Sequence, residues 1–296
     1  MAIINFGSVN IDHVYQVEHF VQPGETIAST SYHRLLGGKG ANQSIALAQA
    51  GSEVRHVGKI NESDATFKQA LIKHGIDCKY LSCTETPSGH AIIQVTPSGE
   101  NAIVLFGGAN QELDSKDVMR ALDDAKPADW VLTQNETSAI DQVLIQAKEK
   151  GLKVAFNPAP MTESVKHLPH DCIDLLIVNE VEAQEISGRH DLDKMEAYFR
   201  QDWPQTEVLI TLGKAGVRML KTERTIDVPA FEVEAIDTTA AGDTFIGFFL
   251  SAYANHGEAS AAMLRACAAS AIAVMQVGAA QSIPDEEQVN RFLAKQ

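Results

Sequence analysis

The chain is 296 residues long, with 24 Lys plus Arg against 39 Asp plus Glu and a formal charge of −15. That length suits one large α/β domain or two smaller ones around a sizeable core. The acidity argues against non-specific binding to nucleic acid or an anionic membrane, though not against an anionic substrate in a locally positive pocket.

Met1 to Gly7 reads as a strand with no basic segment ahead of it, and no apolar run reaches the roughly 18 residues that cross a bilayer. Cys78, Cys83, Cys172 and Cys267 form no Cys-x-x-Cys pair and no zinc spacing, which suits buried thiols in a reducing compartment. The expectation is a soluble, cytoplasmic protein.

Short apolar runs alternate with helical periodicity along nearly the whole chain, the pattern of a mainly parallel sheet covered by helices on both faces. Strands are expected at Ile3 to Val9, Glu53 to Ile60, Trp130 to Gln134, Lys153 to Asn157, Leu175 to Val178 and Val208 to Leu212. Helices are expected at Gly40 to Ala50, Asp64 to His74, Ile140 to Lys150, Glu180 to Ile186, Asp193 to Arg200, Thr244 to Ala254, Glu258 to Val277 and Glu286 to Ala294. Gly51, Gly75, Gly151 and Gly278 stand just past helical segments, where a left-handed cap is wanted. Val14 to Leu36 and His90 to Phe106 break the alternation, each reading as strand, turn, strand. They form either a small sheet lying over a pocket or two surface hairpins. No repeat or linker marks a domain boundary, so residues 1–296 read as one domain with extra strands from about 12–36 and 89–107.

Several short stretches carry possible chemistry. Asn10 and Asp12 follow the first strand, at the carboxyl edge where open α/β sheets bind ligands. A carboxylate there can accept two vicinal hydroxyls, although Asn and Asp also simply make turns. Gly37-Gly38-Lys39-Gly40-Ala41-Asn42 is a glycine turn feeding a helix, and it matches neither a Walker motif nor a dinucleotide fingerprint. It would let a polar ligand lie against backbone beside Asn42, or be a tight turn with a solvated Lys39. Asn179 and Glu182 have capping-box spacing, while Glu180, Glu182 and Glu185 together suggest a hydrated Mg²⁺ site. Val208 to Val217 reads as strand, glycine turn, strand, beside a nucleotide or merely a hairpin. The Ala- and Ser-rich helix after Glu258 suits close packing.

Asp237-Thr-Thr-Ala-Ala-Gly-Asp-Thr-Phe-Ile-Gly247 is the most informative stretch. Small residues precede an apolar helix starting near Asp243, so free helix amides and the positive dipole end would meet an anion such as a phosphate. Asp243 is either that helix's N-cap or a carboxylate acting beside the anion.

Taken with Gly7-Ser8-Val9-Asn10-Ile11-Asp12, Asn157-Pro158-Ala159-Pro160 and Thr211-Leu212-Gly213, these motifs fall in the order of one family over essentially the full length. The chain resembles the ribokinase-like (PfkB) carbohydrate kinases. The resemblance implies a doubly wound α/β fold with a small β-sheet lid. It implies transfer of a phosphoryl group from ATP to the 5-hydroxyl of D-ribose, giving ribose 5-phosphate and ADP. Kinases for 2-deoxyribose, fructose or a nucleoside, and a catalytically silent sugar-binding protein, remain as alternatives.

Carried over residue by residue, Asp243 would be the general base, with Ala240, Ala241, Gly242 and the Asp243 amide as the anion hole. Asn10, Asp12, Gly38, Lys39, Asn42, Glu136 and Asp243 itself would hold the sugar. Asn179, Thr211, Gly213, Gly216, Gly242 and Cys267 would line the nucleotide, and Glu182 would hold Mg²⁺ through water. A K⁺ site would use Asp237, Thr239, Ala273, Gln276, Gly278 and Ser282. A homodimer through the lid sheet is implied as well. Many members carry Gly where Ala240 stands, a departure that narrows the subfamily. The helix dipole would lower the pKa of Asp243 and make it a weak base.

Overall fold

The computed structural model describes residues 1–296. It opens with β1 (Ala2–Phe6), whose side chains alternate across a sheet: Ile3 joins the core on one face, Ile4 and Phe6 the core on the other. β2 (Asn10–Gln16) and β3 (Ser31–Gly37) pair antiparallel, and Gly38 leads into α1 (Lys39–Gln49). Next come β4 (Glu53–Asn61), α2 (Ala65–Lys73), β5 (Leu81–Thr84), β6 (Gly89–Val95) and β7 (Asn101–Phe106). Strand and helix then alternate through α3 (Ser115–Leu122), β8 (Trp130–Gln134), α4 (Ile140–Glu149), β9 (Lys153–Asn157) and β10 (Leu175–Asn179). α5 (Glu180–Ser187), α6 (Leu192–Asp202), β11 (Glu207–Thr211), β12 (Val217–Leu220) and β13 (Thr225–Val228) follow, then α7 (Ala241–His256), α8 (Ala259–Val274) and α9 (Glu286–Leu293).

Nine strands form one sheet in the order β13-β12-β11-β10-β9-β8-β1-β4-β5, parallel from β11 to β5 with an antiparallel edge of β12 and β13. The chain winds outward from β1 to β5, then returns to the other side of β1 at β8 and winds outward again. Direction therefore reverses between β1 and β8, and the crevice past their carboxyl ends is where such sheets hold ligands. A second sheet of four strands, β3-β2-β6-β7, is built from the two segments that interrupt the alternation.

One core cluster contains residues of α1, α7 and α8, and the other contains residues of α3, α4, α5 and α6 on the opposite face. α1 and α7 pack closely because Gly247 lacks a side chain: a Cβ there would fall 2.3 Å from the Ala46 Cβ. That contact brings the polar start of α1 against the start of α7.

Some boundaries differ from the sequence reading. β1 ends at Phe6, short of Val9, because Gly7 turns against α1, its Cβ position lying 2.6 Å from the Gly40 Cα. α8 ends at Val274, short of Val277, where the Ile236 and Asp237 amides both donate to the Val274 carbonyl at 2.7 and 3.1 Å. β5, α3 and β13 were not expected. α3 is short, but Asp114 and Asp117 close a capping box at its start.

Candidate active site

The glycine turn is shaped by its own chain. A Cβ on Gly37 would lie 2.0 Å from Asp12 Oδ2, so this glycine makes room for the Asp12 carboxylate. Gly38 has a φ of 91° and a Cβ position 2.9 Å from the Asn10 amide, a conformation and a space open to glycine alone. Side chains at these two positions are excluded by Asp12 and by the β1–β2 connection. Glu136, just past β8, straps the turn by accepting from the Ser8 hydroxyl and, at 3.0 Å, from the Lys39 amide.

Asp12 is pushed up from 3.8 to about 7, chiefly by burial and then by the charge of Glu136. Asn10 Oδ1 accepts from Asn110 at 2.7 Å, and Asn110 Oδ1 accepts from the Val9 amide at 3.0 Å. Asn110 is a buried site residue that the sequence reading missed, since nothing in its neighbours marks it.

Asp243 lies on the first turn of α7 and is buried. Asn42 donates to its Oδ2 at 3.0 Å and Gln43 to its Oδ1 at 2.9 Å. It does not cap its own helix: Ala240 occupies the N-cap position, in the left-handed region at φ 58°, with no side-chain hydrogen bond. This strained position explains why glycine suits it. Burial raises the pKa of Asp243, against the lowering influences of Lys39, Gln43 and Asn42. The expected depression by the helix dipole is therefore overturned, because desolvation of a buried carboxylate outweighs it. Asp243 is a stronger base than the sequence reading implied.

A cavity of about 220 Å³ is lined by Lys39, Asn157, Asn179, Glu182, Thr211, Ala240, Gly242 and Asp243, among others. Sequence-nominated residues from five separate segments thus converge. The Ala241 amide is turned onto the Thr238 carbonyl at 3.2 Å, whereas the Gly242 and Asp243 amides have no partner within the protein. A neighbouring cavity of about 270 Å³ is lined by Asn10, Asn110, Gln111, Asn135 and Glu136. The Lys39–Glu136 hydrogen bond links the walls of the two.

Other nominations fall outside. Gly213 and Gly216 lie beyond the first cavity's lining, and Gly216 is required by packing, its Cβ position being 2.1 Å from the Val228 carbonyl. Cys267 is buried in the apolar core within α8, its thiol pushed up to about 11 by burial. Asn179 and Glu182 form a complete capping box, at 2.8 and 2.9 Å. Glu180 and Glu185 point to solvent while Glu182 is buried, and no three acidic, His or Cys residues gather as a metal cluster. The three-glutamate site is thus corrected to Glu182 alone: Glu180, two residues before it, faces another way, and Glu185, on the same side of the helix, stays exposed instead of turning in beside it.

Asp237 accepts from the Thr239 amide and hydroxyl at 2.9 and 2.6 Å and from the Gly278 amide at 2.9 Å. Partial burial opposes ionisation, but these bonds hold the carboxyl below its ordinary range. Ala273 and Gln276 are joined by a backbone bond of 3.1 Å, and the Ser282 hydroxyl donates to the Ala279 carbonyl at 2.8 Å.

A buried carboxylate beside unpartnered helix amides, with two polar cavities whose walls the Lys39–Glu136 hydrogen bond joins, suits transfer of an anionic group to a polyhydroxylated acceptor. Comparison with known proteins agrees. Residues 2–286 match the model of the pfkB family carbohydrate kinases. The chain is 37% identical to a ribokinase of Haemophilus influenzae, covering 97% of this chain and 96% of that one. It is 31% identical to a deoxyribokinase of Salmonella typhi over 99% of both. The structure of Arabidopsis thaliana ribokinase complexed with ribose and ATP superposes with a TM-score of 0.88, at 29% identity over 99% of both chains. The fold is ribokinase-like, the chemistry is phosphoryl transfer to a sugar hydroxyl, and the chain belongs to the pfkB family of carbohydrate kinases.

Proposed function

We propose that this enzyme phosphorylates the 5-hydroxyl of D-ribose with ATP, releasing ribose 5-phosphate and ADP. The observation that carries the reading is the Asp243 carboxylate, gripped by Asn42 and Gln43 at the unpartnered amide end of α7. Asp243 takes the proton of the attacking hydroxyl, and the Gly242 and Asp243 amides meet the charge that develops on the transferring group. Asn10, Asp12, Gly38, Asn42 and Glu136 hold the sugar, with Lys39 between sugar and phosphate. Asn42 Oδ1, buried without a partner, supports this as a free acceptor for a hydroxyl. The nucleotide lies toward Asn179 and Thr211.

Glu182 suits Mg²⁺, an ion content with one carboxylate plus waters and phosphate oxygens, and the metal would neutralise phosphate charge there. Asp237, Thr239 and Gly278, already drawn together, suit K⁺ as hard oxygen donors, with Ala273, Gln276 and Ser282 completing the set. The four-stranded sheet acts as a lid on a single domain and joins two copies. Its outer strand β7 supports this by exposing Ile103, Val104, Leu105 and Phe106. No helix is long and apolar enough to cross a membrane, and we place the enzyme in the cytoplasm.

An ATP-coupled assay over D-ribose, 2-deoxyribose, fructose and nucleosides, with and without K⁺, tests the reading. D-Ribose should exceed 2-deoxyribose in kcat/KM by about tenfold or more, because the deoxy sugar leaves the Asp12 acceptor one bond short. A preference for 2-deoxyribose would move the assignment toward the deoxyribokinases, and no turnover with any sugar would sink it.

Asp12 should also make sugar binding pH-dependent. Its folded pKa of about 7 lies above the ordinary 3.8, so the fold favours the neutral acid and loses stability as pH rises between those values. Two vicinal hydroxyls are both accepted in full only by the ionised form, since the neutral acid turns one oxygen into a donor. KM for the sugar should therefore rise about tenfold between about pH 8 and about pH 6, as the ionised fraction falls. Asp12→Asn should have a higher KM that no longer changes over this range, and an unchanged slope in that variant would refute the assignment.

A further inference from the structure

We propose that Gln43 is a positioning residue for the transfer, fixing the Asp243 carboxylate to the central sheet through a buried chain of side-chain amides. The proposal rests on Asp243 acting as the base. Gln43 is fully buried on α1 and lines neither cavity of the site. Its Nε2 donates to Asp243 Oδ1 at 2.9 Å and to Asn157 Oδ1 at 3.2 Å, and its Oε1 accepts from Gln134 at 2.8 Å. Gln134 in turn donates to Asn5 Oδ1 at 2.9 Å, and Asn5 donates to the Gly40 carbonyl at 2.9 Å. Asn5, Gln134 and Asn157 stand on β1, β8 and β9, so the grip on Asp243 is referred to three adjacent strands.

Two backbone carbonyls set the direction of the bonds in this chain: Ile177 accepts from Asn157 at 3.0 Å, which leaves Asn157 Oδ1 to accept from Gln43, and Gly40 fixes the rest. The Gly40 carbonyl can only accept, so Asn5 must turn its NH₂ toward it and its oxygen toward Gln134. Gln134 must then present its NH₂, and Gln43 must answer with Oε1. That leaves the NH₂ of Gln43 for Asp243. With Asn42 donating to the other oxygen, neither carboxylate oxygen is left for a proton, so the Gln43 donor orients Asp243 and, together with Asn42, favours its ionised form.

The other charged groups facing Asp243 are Lys39, which favours its charged form, and Glu136 and Glu182, which oppose it. Gln43→Met removes the donor. Gln43→Glu keeps the size and the acceptor for Gln134 but turns an acceptor on Asp243. Both should lower kcat by about tenfold or more while sugar KM stays within about threefold, since the base is misplaced and the sugar contacts are not. The acid limb of kcat against pH should move up by about one unit in the Met variant and further in the Glu variant. Wild-type kcat and limb, a kcat loss with an unmoved limb, or a variant unfolded at the assay temperature would each overturn the proposal in favour of a structural role. Asp243→Asn assayed alongside separates the two readings. If it keeps turnover, the base assignment itself fails; if it is inactive while both Gln43 variants behave as wild type, only the present proposal fails.

Discussion

Asp243→Asn is expected to lower kcat by about 10³-fold, within the usual range for loss of a positioned general base. Sugar affinity, measured by calorimetry without nucleotide, should change by less than about threefold. The substitution keeps the shape but loses the proton acceptor. It also has a structural signature. Both carboxylate oxygens now accept, from Asn42 and from Gln43, and an amide must set its own NH₂ against one of those donors. That opposed pair should cost about 1–3 kcal/mol and lower the melting temperature. Asp243→Ala should lose as much turnover without opposing donors. A kcat within tenfold of wild type in either variant would remove Asp243 from the chemistry.

The second large effect is expected at Gly242. A Cβ there would meet nothing within 4 Å beyond the local backbone of its own helix, yet the residue lines the cavity beside Asp243. A side chain at this position would project into space the protein leaves for something else. Gly242→Val should lower kcat by about 10²-fold or more by pushing the transferring group away from the free amides. The melting temperature should hold within a few degrees, since no packed neighbour is disturbed. Gly247 is the natural control, because any side chain there collides with α1 and destabilises the fold. Full turnover in Gly242→Val would mean that the anion is held elsewhere.

These two positions bracket what could be read before the structure. The start of α7 and the Asn179–Glu182 box were legible because each is a local device whose partners lie within a few residues, whereas the glycine turn was legible from its composition alone and its partners, Asp12 and Glu136, were not. The main sheet was legible through alternating periodicity, whereas β5 and β13, each four residues long, fall below the length at which a pattern emerges. Asn110 and Gln43 were not legible as site residues. A buried amide looks the same in sequence whether it faces a strand end or a catalytic carboxylate.

The sequence by itself determined the family, the order of the elements and the residues that bear charge at the site. Only the tertiary structure decided their states and partners. Asn42 and Gln43 meet Asp243 across 201 and 200 residues because α1 and α7 pack through Gly247. Gly37 makes room for the Asp12 carboxylate, a residue 25 positions away. The pKa of Asp243 rises where a helix dipole alone would lower it. Hydrogen bonds to neighbours are local and therefore written in short motifs, but desolvation and contact between distant helices belong to the packed whole, and no short segment encodes them.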